Sequence, residues 1–173
     1  MVSKWNGLER KTPLKRTPFK RKPKEKKDYK KTVIERVVRK VSLTDQLDRV
    51  FSLYIRLRDA MPGGRTVCIS CGRQFPFEEM QAGHYFARHN MSVRWNESNV
   101  NSQCWKCNCD EHGNLDAYLV NLERKIGAEE LQRLCALHNQ VRKWSDNELK
   151  ELIAHYKREV RRLSNDKDIH VSI

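Results

Sequence analysis

Apolar residues recur at helical spacing in three parts of the chain, and one stretch between them lacks that spacing. From Ser42, Leu43, Leu47, Val50, Tyr54 and Leu57 fall on one stripe with Phe51 and Ile55 beside it. That spacing predicts an amphipathic helix of about five turns within 42–62, capped by Ser42 and stopped near Pro62-Gly63-Gly64. After Gly113 the period returns with Leu115, Tyr118, Leu119, Leu122 and Ile126, closed by Gly127. A second helix then carries Leu131, Leu134, Cys135 and His138, which predicts a core position for Cys135. Ser145 with Glu148 is a capping-box pair opening a helix that sets Leu149, Leu152, Ile153, Tyr156, Val160 and Leu163 on one side. These faces predict core or a partner-helix surface and carry no catalytic role. Lys157, Arg158, Arg161 and Arg162 at the far end suit the helix macrodipole.

Between Thr66 and about Asn108, β-branched residues, aromatics and turn formers replace the stripes and predict hairpins and loops. The fold class is therefore α+β. Its parts are a basic flexible arm over 1–31, the helix within 42–62, a cysteine-bearing core over 66–127 and C-terminal helices over 128–165.

Charge separates the arm from the rest. Residues 1–31 hold 13 Lys and Arg against 3 Asp and Glu, so they supply most of the net charge of +13. Their tandem Thr12-Pro13-Leu14-Lys15-Arg16 and Thr17-Pro18-Phe19-Lys20-Arg21 predict an extended, solvated arm. Lys15, Arg16, Lys20 and Arg21 would lie along a phosphate backbone, unless the arm only solubilises or targets the chain. No apolar run approaches membrane-spanning length, and no signal-peptide pattern follows Lys4, Arg10 and Lys11. A cytoplasmic location without membrane contact is expected. In that reducing compartment six cysteines point to metal ligands or buried thiols rather than disulfides.

Cys68-Ile69-Ser70-Cys71 and Cys104-Trp105-Lys106-Cys107 are two Cys-x-x-Cys pairs. Each can bend into a knuckle whose thiolates converge on one ion, and four thiolates fill a tetrahedral zinc shell. With no open position for water, that zinc is expected to be structural. The surroundings lack the βαβ pattern of a thioredoxin-like redox pair.

Between and just after the knuckles come His84, Asn99 and Asn108. The order His, Asn, Cys-x-x-Cys-Asn resembles the HNH, or ββα-metal, nuclease arrangement built on a treble-clef zinc core. Gly83 stands where many such enzymes carry an acidic residue or a second His. More specifically, Cys-Ile-Ser-Cys-Gly, Gln-Ala-Gly-His-Tyr, Asn-Glu-Ser-Asn-Val, Gln-Cys-Trp-Lys-Cys-Asn and Gly-Asn-Leu-Asp-Ala-Tyr, with the Thr-Pro-Leu-Lys-Arg arm, resemble the phage recombination family called NinG or Rap. The resemblance implies a structure-specific endonuclease acting on branched DNA such as Holliday junctions and D-loops.

Phosphodiester hydrolysis needs an activated water and a stabilised leaving oxygen. His84 is expected as general base, and a magnesium or manganese ion as the second catalyst. Asn108 would bind that ion or its water, and Asn99 would orient the imidazole. His112 would be a second ligand if a continuous helix put it on one face with Asn108. Glu78, Glu79 and His89 stand in reserve. Arg88, Arg94 and Lys106 would contact flanking phosphates, while Trp95 and Trp105 are expected to pack over the knuckle. A homodimer would match the two-fold symmetry of a four-way junction, and the helices offer surfaces for other recombination proteins. A non-catalytic zinc module that binds DNA or RNA explains charge and cysteines equally well, though not the placing of His84, Asn99 and Asn108.

Overall fold

The stripe that begins at Ser42 forms one helix, α1 (Leu43–Asp59), in the computed structural model, which describes residues 41–171. Ser42 caps it, its hydroxyl accepting from the Asp45 amide at 3.0 Å. The helix ends ahead of Pro62 because Ala60 is already extended. The proposed arm residues Lys15, Arg16, Lys20 and Arg21 lie outside the described residues.

Two short antiparallel hairpins follow. Strands β1 (Arg65–Val67) and β2 (Gln74–Pro76) flank the first cysteine pair, and a 3-10 turn at Phe77–Glu79 leads on. Strands β3 (Met80–His84) and β4 (Val100–Cys104) then pair with Gly83 opposite Asn101 and His84 opposite Val100. A single π-helical turn, Lys106–Asp110, leaves the second knuckle. Helices α2 (Leu115–Ile126), α3 (Ala128–His138) and α4 (Asp146–Lys167) complete the chain. Gly127, at φ 82°, separates α2 from α3, and Ser145 with Glu148 forms the capping box that opens α4.

The largest core lies between α1 and α4, where Leu47, Phe51, Tyr54 and Leu57 meet Ile153, Tyr156 and Val160. Phe51 and Tyr156 pack edge to face with centroids 4.8 Å apart. This pair also shapes the site, because α1 packs against β3 and β4 as well. A second cluster joins Tyr118 and Leu122 of α2 to Leu134 of α3 and to Val93, a residue of the 85–99 loop. That loop is pinned from outside: Phe86 stacks on His138 at 4.0 Å, and the Trp144 indole donates to the Met91 carbonyl at 2.9 Å.

One core expectation fails. Cys135 is exposed, because α3 buries only the narrow face centred on Leu134, with Leu131 and Leu137 beside it. Among the described residues no helix is long and apolar enough to cross a membrane.

Candidate metal centre and the adjoining His84 cavity

Cys68 and Cys71 sit in the turn between β1 and β2, Cys104 ends β4, and Cys107 lies in the π-helical turn. Gly72 makes the first knuckle possible: at φ 70° its amide donates back to the Cys68 carbonyl at 2.9 Å. All four sulfurs lie within 4.8 Å of one another, and Cys71 and Cys104 are 3.9 Å apart. Zinc–sulfur bonds of about 2.3 Å in a tetrahedron require sulfurs about 3.8 Å apart, so the cluster matches zinc in donor type and spacing. Backbone and side-chain donors point at the sulfurs, from the Cys104 amide to Cys68 and from the Asn114 amide to Cys107. Burial pushes the Cys71 thiol up, but the Arg73 amide and guanidinium and the neighbouring thiols bring it down to about 7. The four cysteines can hold a metal such as zinc.

On the far end of β3 from this cluster, His84 opens onto a cavity of about 340 Å³ shared with Arg88, Asn108 and His112. The two ligand candidates reach it without the continuous helix expected from their spacing. After the π-helical turn the chain bends through His112 at φ 49°, Gly113 at 96° and Asn114 at 43°. Left-handed backbone at a histidine costs conformational energy. That cost is met by the fit of the turn, whose Gly113 carbonyl accepts from the fully buried Gln103 amide.

The His84 imidazole is half-buried, and its Nε2 lies 3.0 Å from the Arg94 carbonyl. A carbonyl only accepts, so Nε2 carries hydrogen and the neutral ring keeps its lone pair on Nδ1. Burial moves the imidazole below its ordinary pKa of 6.5, against the opposing pull of the Arg94 and Ala82 carbonyls. A neutral ring with one nitrogen fixed as donor can accept a proton at the other. Asn108 donates from its amide nitrogen to Gln81 Oε1, the β3 side chain that also accepts from the Cys109 thiol.

Asn99 does not orient the imidazole. It is fully buried, donating to the Phe86 and Val93 carbonyls and accepting from the Phe86 amide, so it ties the ends of the 85–99 loop together. Nor is Arg94 free for phosphate. Its guanidinium forks onto the Asp48 carboxylate from α1, and its side chain is 14% exposed. Trp95 is buried and donates to the same Asp48, whereas Trp105 is exposed rather than packed. Lys106, 3.4 Å from Glu111, lines a different hollow with Trp105 and Glu79. Glu78, Glu79 and His89 do not line the His84 cavity, and among the described residues Arg88 is the Lys or Arg that does.

Gly83 is explained by packing. A Cβ there would lie 2.2 Å from Gln103 Oε1 and 2.8 Å from Gln103 Cβ, well inside the sum of van der Waals radii, so any side chain before His84 would have to displace Gln103. Gln103 ties both knuckle regions together by donating to the Ser70 hydroxyl as well as the Gly113 carbonyl. On the α2 side Arg58, Asp59, the exposed Lys125 and the buried Asn101 form a polar hub, and Asn101 donates to Tyr118, which donates on to the Gly83 carbonyl. The Asp59 carboxyl is held below its usual range despite burial, by Arg58, Lys125 and the Ser102 amide. None of Asp48, Gln103 or the Arg58 hub carries a local sequence signal, since, the adjacent Arg58–Asp59 pair apart, their partners lie ten or more residues away along the chain.

No solved structure matches the chain. Residues 3–166 match the family model described as Bacteriophage Lambda NinG protein. Over 124 residues, which is 70% of this chain, it is 34% identical to Protein ninG of Escherichia phage lambda and 31% identical to Protein ninG of Salmonella phage P22. Protein ninG of Escherichia phage 933W is 32% identical over the same length. The matched segment covers 57% of the lambda protein and 58% of the other two, so the chain spans little more than half the length of these relatives. By the extent of the family match and its identity to these relatives, the chain belongs to the phage NinG family.

Proposed function

We propose that the chain is a metal-dependent, structure-specific DNA endonuclease of the HNH type, cutting phosphodiester bonds in branched DNA such as Holliday junctions and D-loops. The observation that carries the reading is the convergence of His84, Asn108, His112 and Arg88 on one open cavity beside a four-cysteine cluster. A hairpin followed by a helical turn, held by sulfur at its base, is the frame a ββα-metal site requires.

In this reading His84, neutral near pH 7, takes a proton from water at Nδ1 while the Arg94 carbonyl holds Nε2. Asn108 and His112 are the donors that would hold a magnesium or manganese ion, which supplies charge stabilisation at the leaving oxygen. Among the described residues no carboxylate lines the cavity. The donor set is therefore neutral, and the substrate phosphate must provide the anionic ligand; this favours an ion that binds together with DNA. Arg88 stands ready for a neighbouring phosphate. The zinc is structural in this scheme. The basic arm adds sequence-independent attraction for DNA.

The test is cleavage of linear, flapped, three-way and four-way DNA with and without magnesium or manganese. Wild-type protein should nick the branched forms, and His84→Ala should lower turnover by about 10²–10⁴-fold while zinc content and junction binding hold. Equal cutting by both proteins would remove His84 as the base. Tight binding with no cutting under either metal would leave a zinc module that only binds nucleic acid.

A further inference from the structure

Asp48 lies on α1, more than thirty residues before His84 and outside both knuckles. Its carboxylate nevertheless receives donors from two residues beside the site. Arg94 donates to it from both Nε, at 3.0 Å, and Nη2, and the Trp95 indole donates at 2.9 Å. Arg88, the cation of the His84 cavity, stands 4.0 Å away. Asp48, His84 and Arg88 also share a small cavity of about 80 Å³ on the α1 side of the ring.

The consequence runs through the main chain. A side chain clamped at two points, with its neighbour Trp95 clamped to the same carboxylate, fixes the peptide that joins them. That peptide carries the Arg94 carbonyl, the acceptor for His84 Nε2. We infer that Asp48 is a positioning residue for His84, selecting the ring tautomer with hydrogen on Nε2 by immobilising the Arg94 carbonyl. It acts through a backbone oxygen rather than by bonding the imidazole itself. A carboxylate bonded straight to the ring would add charge beside it and raise its affinity for a proton. Relaying orientation through a neutral carbonyl keeps most of that charge away and spends it on Arg94. The catalytic sense of the inference rests on His84 being a base, but the structural claim does not.

The test reads the ring directly. In the full chain with zinc bound, long-range proton–nitrogen correlation NMR at pH 8 should give His84 as one tautomer, with hydrogen on Nε2. Asp48→Asn should shift the ring to a mixture of both tautomers. Arg94→Gln, which keeps the backbone carbonyl and removes its anchor, should do the same. The double variant should be no worse than either single change, because both cut one relay. With four-way junction DNA and manganese, either change should lower kcat about tenfold and leave KM unchanged. Retention of a single Nε2–H tautomer in both folded variants would overturn the inference, as would additive effects in the double variant. If wild type cuts no DNA, the nuclease reading falls, and the tautomer measurement still decides the role of Asp48.

Discussion

The cysteine cluster and the His84 cavity share strands β3 and β4 but are built on opposite principles. The cluster is closed: three of its four cysteines are buried, and its donors all converge on one point. The cavity is open, lined by neutral donors and one exposed arginine, and its shape depends on a left-handed turn. The difference is between a set of donors suited to saturating one ion and a concavity that leaves room for a ligand. A saturated tetrahedral shell contributes folding energy and excludes chemistry; a sparse, concave set of donors contributes little stability and leaves room for a reacting group.

Removing a ligand from the closed side should have the largest effect. Structural zinc supplies about 10–16 kcal/mol in small zinc peptides, as much as the whole stability of most domains. Cys104→Ser should therefore lower bound metal well below one per chain and abolish the cooperative thermal transition. Metal analysis and circular dichroism decide it, and a normal melt without metal would show that the sulfurs are only buried thiols.

A smaller effect should come from the joint between the two regions. Gly83→Ala drives a methyl group into Gln103, and overpacking of this kind costs about 1–3 kcal/mol. Urea unfolding should show a lower midpoint at unchanged slope. Gln103→Ala in the same chain should recover part of the loss.

On the open side, the expected handle is pH. Burial holds His84 below 6.5, so folding disfavours its protonated form. Its contribution to stability is full above the unfolded value of 6.5 and is lost as pH falls through the lower folded value. If His84 acts as the proposed base, turnover should decline only as pH falls below 6.5. An NMR titration of His84 with a midpoint above 6.5 would contradict both statements.

The smallest effect is expected at Cys135. As an exposed residue on α3, its replacement by serine should change stability by less than about 0.5 kcal/mol, whereas a core thiol would cost several times more.

Elements were far more legible than side-chain partners. Ser42, Gly127 and the Ser145–Glu148 pair mark their helix boundaries within a residue or two, because capping is a contact between near neighbours. The cysteine pairs were legible for the same reason: each knuckle closes within four residues. Asn99 shows where this ends. Its place before Cys104 suggested a partner for the imidazole, yet its side chain meets Phe86 and Val93 across a loop. Arg94 was a free cation until α1 brought Asp48 against it.

The amino-acid sequence by itself determined the helices, the two cysteine pairs that can hold a metal and the basic arm's charge, since periodicity, short spacing and composition are local properties. Only the tertiary structure decided which donors face the cavity, which arginine is available and what holds the histidine. Those outcomes depend on the packing of α1 against the β3–β4 hairpin, a contact between segments about forty residues apart whose geometry no local pattern encodes.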